Sequence, residues 1–164
     1  MTARPKRLRK KSGGITVHIL VLNGPNLNML GIREPEHYGT QTLADLIAML
    51  EAEADRLGIT IECYQSNHEG DLVDKIQAAY GTADGILINP AAYTHTSVAL
   101  LDAVKAVSLP TVEVHISDPD TRDEFRKISY IRQACIATVK GKGFAGYIEG
   151  LHILVNAVSH RDDL

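Results

Sequence analysis

From residue 15 onward the chain switches between two hydrophobic periodicities. Short runs rich in β-branched residues suit buried strands; between them, apolar residues recur every three or four positions, as on one face of a helix. The first run, "ITVHILVL" (Ile15 to Leu22), stops at the turn-forming "NGPN". A polar stretch follows. Thr42 then caps a helix carrying Leu43, Leu46, Ile47, Leu50, Ala54 and Leu57, which Gly58 closes. "ITIECYQ" (Ile59 to Gln65) is a second strand, "DLVDKIQAAYG" (Asp71 to Gly81) a second helix and "GILIN" (Gly85 to Asn89) a third strand. A third helix starts near Thr96 or Ser97 and runs through "VALLDAVKAV". "PTVEVHIS" (Pro110 to Ser117) is a fourth strand, ended by "SDPDT", and "DEFRKIS" a short helix. "IATVKG" is a fifth strand and "AGYIEGLHILVNAV" a final helix. Gly150 inside that helix costs about 1 kcal/mol relative to Ala, so it marks a place of close packing.

Strands alternating with helices over connections of this length imply parallel βαβ units, with helices on both faces of one sheet. The expected fold class is α/β, a flavodoxin-like doubly wound five-stranded parallel sheet in the order 2-1-3-4-5. A chain of 164 residues fits one domain. We place it at residues 15–158, between a basic disordered extension (1–14) and a short tail (159–164).

Charge sharpens that division. "MTARPKRLRKKSGG" holds six of the 17 Lys and Arg and no acid. The remainder carries 11 basic against 20 acidic residues, a formal charge of −9 where the whole chain has −3. An acidic domain with a detachable basic tail gives no support for nucleic-acid binding by the domain. The tail lacks the apolar core of a signal peptide, and no apolar run approaches the roughly 20 residues of a transmembrane helix. Cys63 and Cys135 are far apart and match no metal or redox spacing, which reads as two reduced thiols and a cytoplasmic protein, with a single disulfide as the less favoured alternative.

The fourth strand carries an anomaly. Val112, Val114 and Ile116 form an apolar stripe, while Glu113, His115 and Ser117 alternate with them on the opposite face. In an open parallel sheet, ligands bind beyond the carboxyl ends of the strands, near the switch in strand order. Polar or special-geometry residues collect there three times: Asn23, Gly24, Pro25 and Asn26 after strand one; Asn89, Pro90 and "AAYTHTS" after strand three; His115 and Ser117 at the end of strand four. Each piece also has a purely structural reading as a turn, a strand terminator, a helix cap or a hydrogen-bonded core histidine. The N-terminus of the helix capped by Thr96 or Ser97 is a further place for an anion. The 20-residue class of loop between strand one and the first helix is longer than ordinary connections and favours a lid. It holds Arg33 and Tyr38; a nearby guanidinium lowers a tyrosine pKa by about 1–3 units, making phenolate a usable base, and Arg126 is a second candidate for that task. The chain has no GxGxxG after strand one, Walker A loop, HExxH or GxSxG, which disfavours nicotinamide, nucleoside triphosphate and catalytic zinc.

Four segments, "LNGPNLNMLGIREPEHYG", "QSNHEGDLVDKI", "ILINPAAYTHTSVALLDA" and "VEVHISDPDTRDEFR", occur in an order and spacing that resembles the type II 3-dehydroquinate dehydratases. The resemblance runs from about Ile15 to Ala157. It implies a flavodoxin-like fold, trimers that build a homododecamer, and anti elimination of water from 3-dehydroquinate through an enolate, with no cofactor, metal or Schiff base. By motif position it makes Tyr38 the base for the C2 proton, with Arg33 holding it as phenolate. Asn26 would position a water on the enolate, and His115 would protonate the departing hydroxyl. Asn89, His95 and Arg126 would bind substrate hydroxyls or help hold the site. The amides of Ile116 and Ser117, with the Ser117 hydroxyl, would bind the carboxylate. Arg122 would be the lid's arginine, Glu113 would orient His115 or accept its proton, and Asp102 would come from a neighbouring subunit. One segment departs from the pattern: the family reads "HISN" followed by His or Arg and Ala, where this chain reads "HISDPDTR". Asp118 and Asp120 are therefore expected to bring negative charge near an anionic substrate, weakening its binding or displacing Arg122. The competing readings are a flavodoxin-like small-anion-binding or regulatory module, and a homologue that has lost activity through the changed segment.

Overall fold

The first helix shows how closely local chemistry sets the elements. Thr42 Oγ1 accepts the Asp45 amide at 3.2 Å and Asp45 Oδ2 accepts the Thr42 amide at 2.8 Å, a reciprocal capping box that satisfies two orphan donors. Gly58 ends the helix in the left-handed region, at φ 69°. The computed structural model describes residues 16–32, 34, 36 and 39–160. The expected extension at 1–14 lies outside the described residues, as does 161–164 of the expected tail.

In chain order the elements are β1 (His18–Asn23), α1 (Leu43–Leu57), β2 (Thr60–Gln65), α2 (Glu69–Ala78), β3 (Gly85–Asn89), α3 (Val98–Val107), β4 (Thr111–His115), β5 (Ala137–Lys140) and α4 (Ala145–Ser159). All strand pairings are parallel and the sheet order is β2-β1-β3-β4-β5, as the periodicity implies. Some boundaries move. Strand β1 starts three residues later than the apolar run, and α2 starts at Glu69, two residues before the expected Asp71. The helix expected at "DEFRKIS" is only a 3-10 turn, Glu124–Lys127, and a second turn, Ile131–Ala134, follows it. Helix α4 reaches Ser159, one residue beyond the expected domain end. Among the described residues no helix is long and apolar enough to cross a membrane.

The two faces of the sheet have separate cores. On one, Ile19, Val21, Leu87, Val112 and Val114 pack under Leu46 and Leu50 of α1 and Tyr147, Leu151 and Leu154 of α4. On the other, Leu20, Leu22, Ile86 and Ile88 pack under Leu72 and Ile76 of α2 and Leu100 and Val104 of α3. On β4 the positions of this second face are Thr111, Glu113 and His115. Ile131, from the 3-10 turn, joins the core here in place of a further helix residue. A sheet face covered by a short irregular segment is where a polar stripe is tolerated, because turn backbone and side chains supply hydrogen-bond partners that a helix face does not.

Gly150 packs against the first face. A Cβ there would lie 2.7 Å from Leu87 Cδ1 and 3.3 Å from Val112 Cγ1, both on fully buried strand residues. Gly150→Ala gains about 1 kcal/mol of helix propensity against about 1–3 kcal/mol of overpacking. The crowding wins, and the urea midpoint is expected to fall; a midpoint at or above wild type would contradict this packing.

Candidate functional site

The site begins with the closeness of two strand ends. The Gly24 amide donates to the Asn89 carbonyl at 2.8 Å, continuing the β1–β3 ladder into the loops. A Cβ at Gly24 would stand 2.4 Å from the Pro90 carbonyl oxygen, so only glycine lets these two backbones approach. Asn26 follows in the left-handed region, at φ 66°, and its amide donates to Asn67 Oδ1 at 2.9 Å. Gln65 Nε2 braces the same corner, donating to the Gly24 carbonyl at 3.2 Å and to Asn67 Oδ1 at 3.1 Å.

Below this corner runs a buried chain of three polar side chains. Tyr147 of α4 donates its hydroxyl to Asn23 Oδ1 at 2.8 Å and accepts from Asn89 Nδ2 at 2.8 Å. Asn89 Oδ1 in turn accepts the Ala91 amide at 3.1 Å, so both ends of that side-chain amide are oriented. Burial pushes the Tyr147 phenol far above its ordinary range, which keeps it a neutral relay.

A cleft partly open to solvent lies above these strand ends. Its walls include Asn89, His95, His115, Ile116, Ser117, Arg122 and Arg126. Seven of the expected residues thus converge from β3, β4 and the turns that follow them. Asn26 adjoins the cleft through Leu27, which lines it. Asp102 is exposed on α3 and does not line this cleft. Tyr38 and Arg33 lie outside the described residues. The expected anion place at the start of α3 is not part of the cleft: the Ser97 hydroxyl caps the helix by accepting the Leu100 amide at 2.9 Å, and Ser97 is buried. The cleft wall belongs instead to the 3-10 turn that precedes that helix.

The electrostatics of the back wall centre on Glu113, which is 0% exposed. Oε1 accepts from His115 Nε2 at 2.8 Å and from the Ser129 hydroxyl at 2.7 Å; Oε2 accepts from Arg132 Nε at 3.1 Å and the Thr138 hydroxyl at 3.0 Å. Burial alone would raise the pKa of this carboxyl. The bonds from His115 and Ser129 and the charges of His115 and Arg132 overcome it and hold the pKa down at about 2. His115 Nε2 is thereby committed, which leaves Nδ1 for any proton exchanged with the cleft. His95 differs: burial, then repulsion by Arg126 and His115, lowers its pKa. Its Nδ1 donates to the Ile128 carbonyl at 2.7 Å, so the neutral ring keeps Nε2 as an acceptor. Arg126 is steadied by Asp123 Oδ2, 3.1 Å from its Nε.

The two unexpected carboxylates do not line the cleft, although Ser117, Pro119 and Arg122 around them do. Asp118 Oδ1 lies 3.2 Å from Lys140 Nζ, and Asp120 Oδ2 accepts a hydrogen bond from the same ammonium. Both acids pair with Lys140 of β5, and Asp118 also lines an adjoining, more open hollow together with Ile116 and Ser117, so the expected negative charge does stand near the cleft. Ser129, Arg132, Thr138, Tyr147 and Lys140 were not singled out from sequence as parts of the site. For two of them a signal existed, because Thr138 and Lys140 alternate in "IATVKG" as Glu113 and His115 do in β4, and the register pairs Glu113 with Thr138 and His115 with Lys140.

The profile of the Dehydroquinase class II family matches residues 17–155. A 3-dehydroquinate dehydratase of Corynebacterium glutamicum (strain R) is 57% identical over 138 residues, covering 84% of this chain and 95% of that one. A catabolic 3-dehydroquinase of Aspergillus oryzae is 50% identical over 145 residues, covering 88% and 95%. Among solved structures, the type II dehydroquinase of Butyrivibrio crossotus superposes with a TM-score of 0.84 at 48% identity, covering 85% of this chain and 98% of that one.

Glu113→Gln tests the electrostatic reading of the back wall. Because the folded pKa of about 2 lies below the unfolded value of 4.5, the carboxylate stabilises the fold above about pH 4.5. That contribution is lost as pH falls towards 2. The variant should be less stable than wild type at neutral pH by about 3 kcal/mol, the scale of breaking a buried ion pair. In urea unfolding measured against pH, the difference should shrink on the acid side; a gap that stays constant with pH would contradict it.

Proposed function

This chain belongs to the Dehydroquinase class II family, and we propose that its cleft removes water from 3-dehydroquinate by anti elimination through an enolate, giving 3-dehydroshikimate. It is a hydro-lyase of the shikimate pathway. The observation that carries the reading is the convergence on one cleft of Asn89, His95, His115, Ser117, Arg122 and Arg126, with His115 backed by a Glu113 that is ionised at neutral pH.

In this mechanism Tyr38, held as phenolate by Arg33, takes the C2 proton. Charge then grows on the ketone oxygen, where a water positioned by Asn26 stabilises it; donors aimed at developing charge lower the barrier where it forms. His115 gives its proton to the departing C1 hydroxyl. Glu113 orients the ring; with its pKa at about 2 it is a carboxylate at neutral pH, which supports the orienting role over that of proton acceptor. The amides of Ile116 and Ser117 and the Ser117 hydroxyl take the substrate carboxylate, beside Arg122. Asn89, with its amide fixed by Tyr147 and Ala91, His95 with Nε2 as acceptor, and Arg126 read the ring hydroxyls. Acid and base act on opposite sides of the substrate, one on the sheet and one on the loop before α1.

Asp102, exposed on α3, completes the cleft of a neighbouring copy in a homododecamer built from trimers. The protein works in the cytoplasm: its two cysteines are free, and burial raises their pKa to about 11 (Cys63) and about 12 (Cys135), which leaves them inert thiols. Family membership does not favour the alternative of a binding module without activity.

The test is to add 3-dehydroquinate to purified protein and follow the ultraviolet absorbance of the conjugated enone. Steady turnover is expected, and none at saturating substrate would overturn the function. General acid or base groups each contribute about 10²–10⁴ in rate. Tyr38→Phe should lower kcat by that order with KM little changed, and a wild-type kcat in that variant would remove the base assignment.

A further inference from the structure

Two acidic side chains beside an anion-binding wall should repel the ligand, yet this chain places Asp118 and Asp120 directly after the β4 end that forms that wall. Ser117, Pro119 and Arg122 line the cleft; Asp118 and Asp120 do not, although Asp118 lines an adjoining, more open hollow together with Ile116 and Ser117. Between residues 118 and 122 the chain makes a tight 3-10 turn. Asp118 Oδ1 accepts the Asp120 amide at 3.0 Å, and the Asp118 carbonyl accepts both the Thr121 amide at 3.2 Å and the Thr121 hydroxyl at 2.8 Å. The Arg122 amide closes the turn on the Pro119 carbonyl at 3.2 Å. Arg122 is thus delivered to the cleft by a turn whose capping residue is Asp118.

Strand β5 holds this turn from behind. The parallel register sets Lys140 beside His115, and its ammonium bridges Asp118 Oδ1 and Asp120 Oδ2. A Cβ at Gly141 would lie 3.2 Å from Asp118 Cβ, so turn and strand end are in close contact. The other Asp120 oxygen, Oδ1, is buried and has no hydrogen-bond partner. The Asp120 charge therefore leans on Lys140, and the hydrogen bond from that ammonium lowers the Asp120 pKa.

We propose that Lys140 is a positioning residue for substrate binding: by clamping Asp118 and Asp120 onto β5 it keeps their charge away from the substrate carboxylate and holds the turn that presents Arg122. This rests on the reading that the carboxylate is bound at Ile116 and Ser117. Without Lys140 the turn carries two carboxylates that have lost the ammonium bridging them, next to that place. They repel the anionic substrate through the partly aqueous rim, an interaction that salt screens.

The experiment is steady-state kinetics on the full chain, together with calorimetric binding of quinate, a carboxylate of the same ring class that does not undergo the elimination. Lys140→Met should raise KM for 3-dehydroquinate, and Kd for quinate, about five- to tenfold at low salt, with kcat falling less than KM rises. The rise should shrink as salt approaches about 1 M, where the Debye length is about 3 Å. Lys140→Arg should restore most of the affinity. Combining Lys140→Met with Asp118→Asn and Asp120→Asn should restore it as well, which a merely structural lysine would not allow. An unchanged KM and Kd in Lys140→Met, or a rise that persists at high salt and in the triple variant, would overturn the proposal. Failure of the dehydratase reading looks different, since wild type itself would then not turn over, and quinate binding would still decide the role of Lys140.

Discussion

A carboxylate with no solvent exposure sits inside the sheet at Glu113, and the surrounding structure is arranged around satisfying it. A buried charge is tolerable only if its lone pairs are occupied and an opposite charge is close. The four donors come from three segments: His115 from β4 itself, Ser129 and Arg132 from the irregular stretch before β5, and Thr138 from β5. The same bonds that ionise Glu113 therefore dock the outermost strand and the covering turn onto β4. They also fix the one imidazole that faces the cleft from the sheet. A hydrophobic residue at 113 would close the core equally well, but it would leave Arg132 unpaired and the His115 ring without a partner on Nε2.

Around that fixed wall the remaining parts are set by backbone approach. Gly24 lets the ends of β1 and β3 meet, and the Asn23–Tyr147–Asn89 chain ties both strand ends to the last helix. The cleft thus has a floor whose hydrogen-bond directions are determined before any ligand arrives. Preorganised groups of this kind lower a barrier because they need not reorient as charge develops. The proposed base is supplied by the loop before α1, so the two halves of the proton traffic belong to different structural classes, rigid sheet and long connection.

Much of this was legible in the sequence because it depends on local rules. Thr42 and Gly58 mark their helix by capping chemistry, and the alternation in "VEVHIS" places Glu113 and His115 on one face. Gly150 reads as a close contact because nothing else justifies glycine in a helix. What was not legible depends on distant partners. Tyr147 looks like any aromatic on a helix until the fold brings it to Asn23, 124 residues earlier in the chain. Ser97 caps α3 as its position suggests, but only the fold shows that this helix start stands apart from the cleft. Asp118 and Asp120 read as added negative charge beside an anionic ligand, because sequence shows their nearness to the cleft and not the ammonium they pair with. Only the register of β5, which sets Lys140 against His115, shows where that charge goes.

The central claim, that His115 held by Glu113 is the acid while a different residue is the base, separates two proton transfers. Nuclear magnetic resonance of 3-dehydroquinate in heavy water resolves them, since removal of the C2 proton appears as deuterium incorporation and loss of the hydroxyl as product. His115→Asn should still exchange the C2 proton while product formation falls by about 10²–10⁴, the contribution of one general acid. Loss of exchange and elimination together in that variant, or elimination at the wild-type rate, would contradict the account.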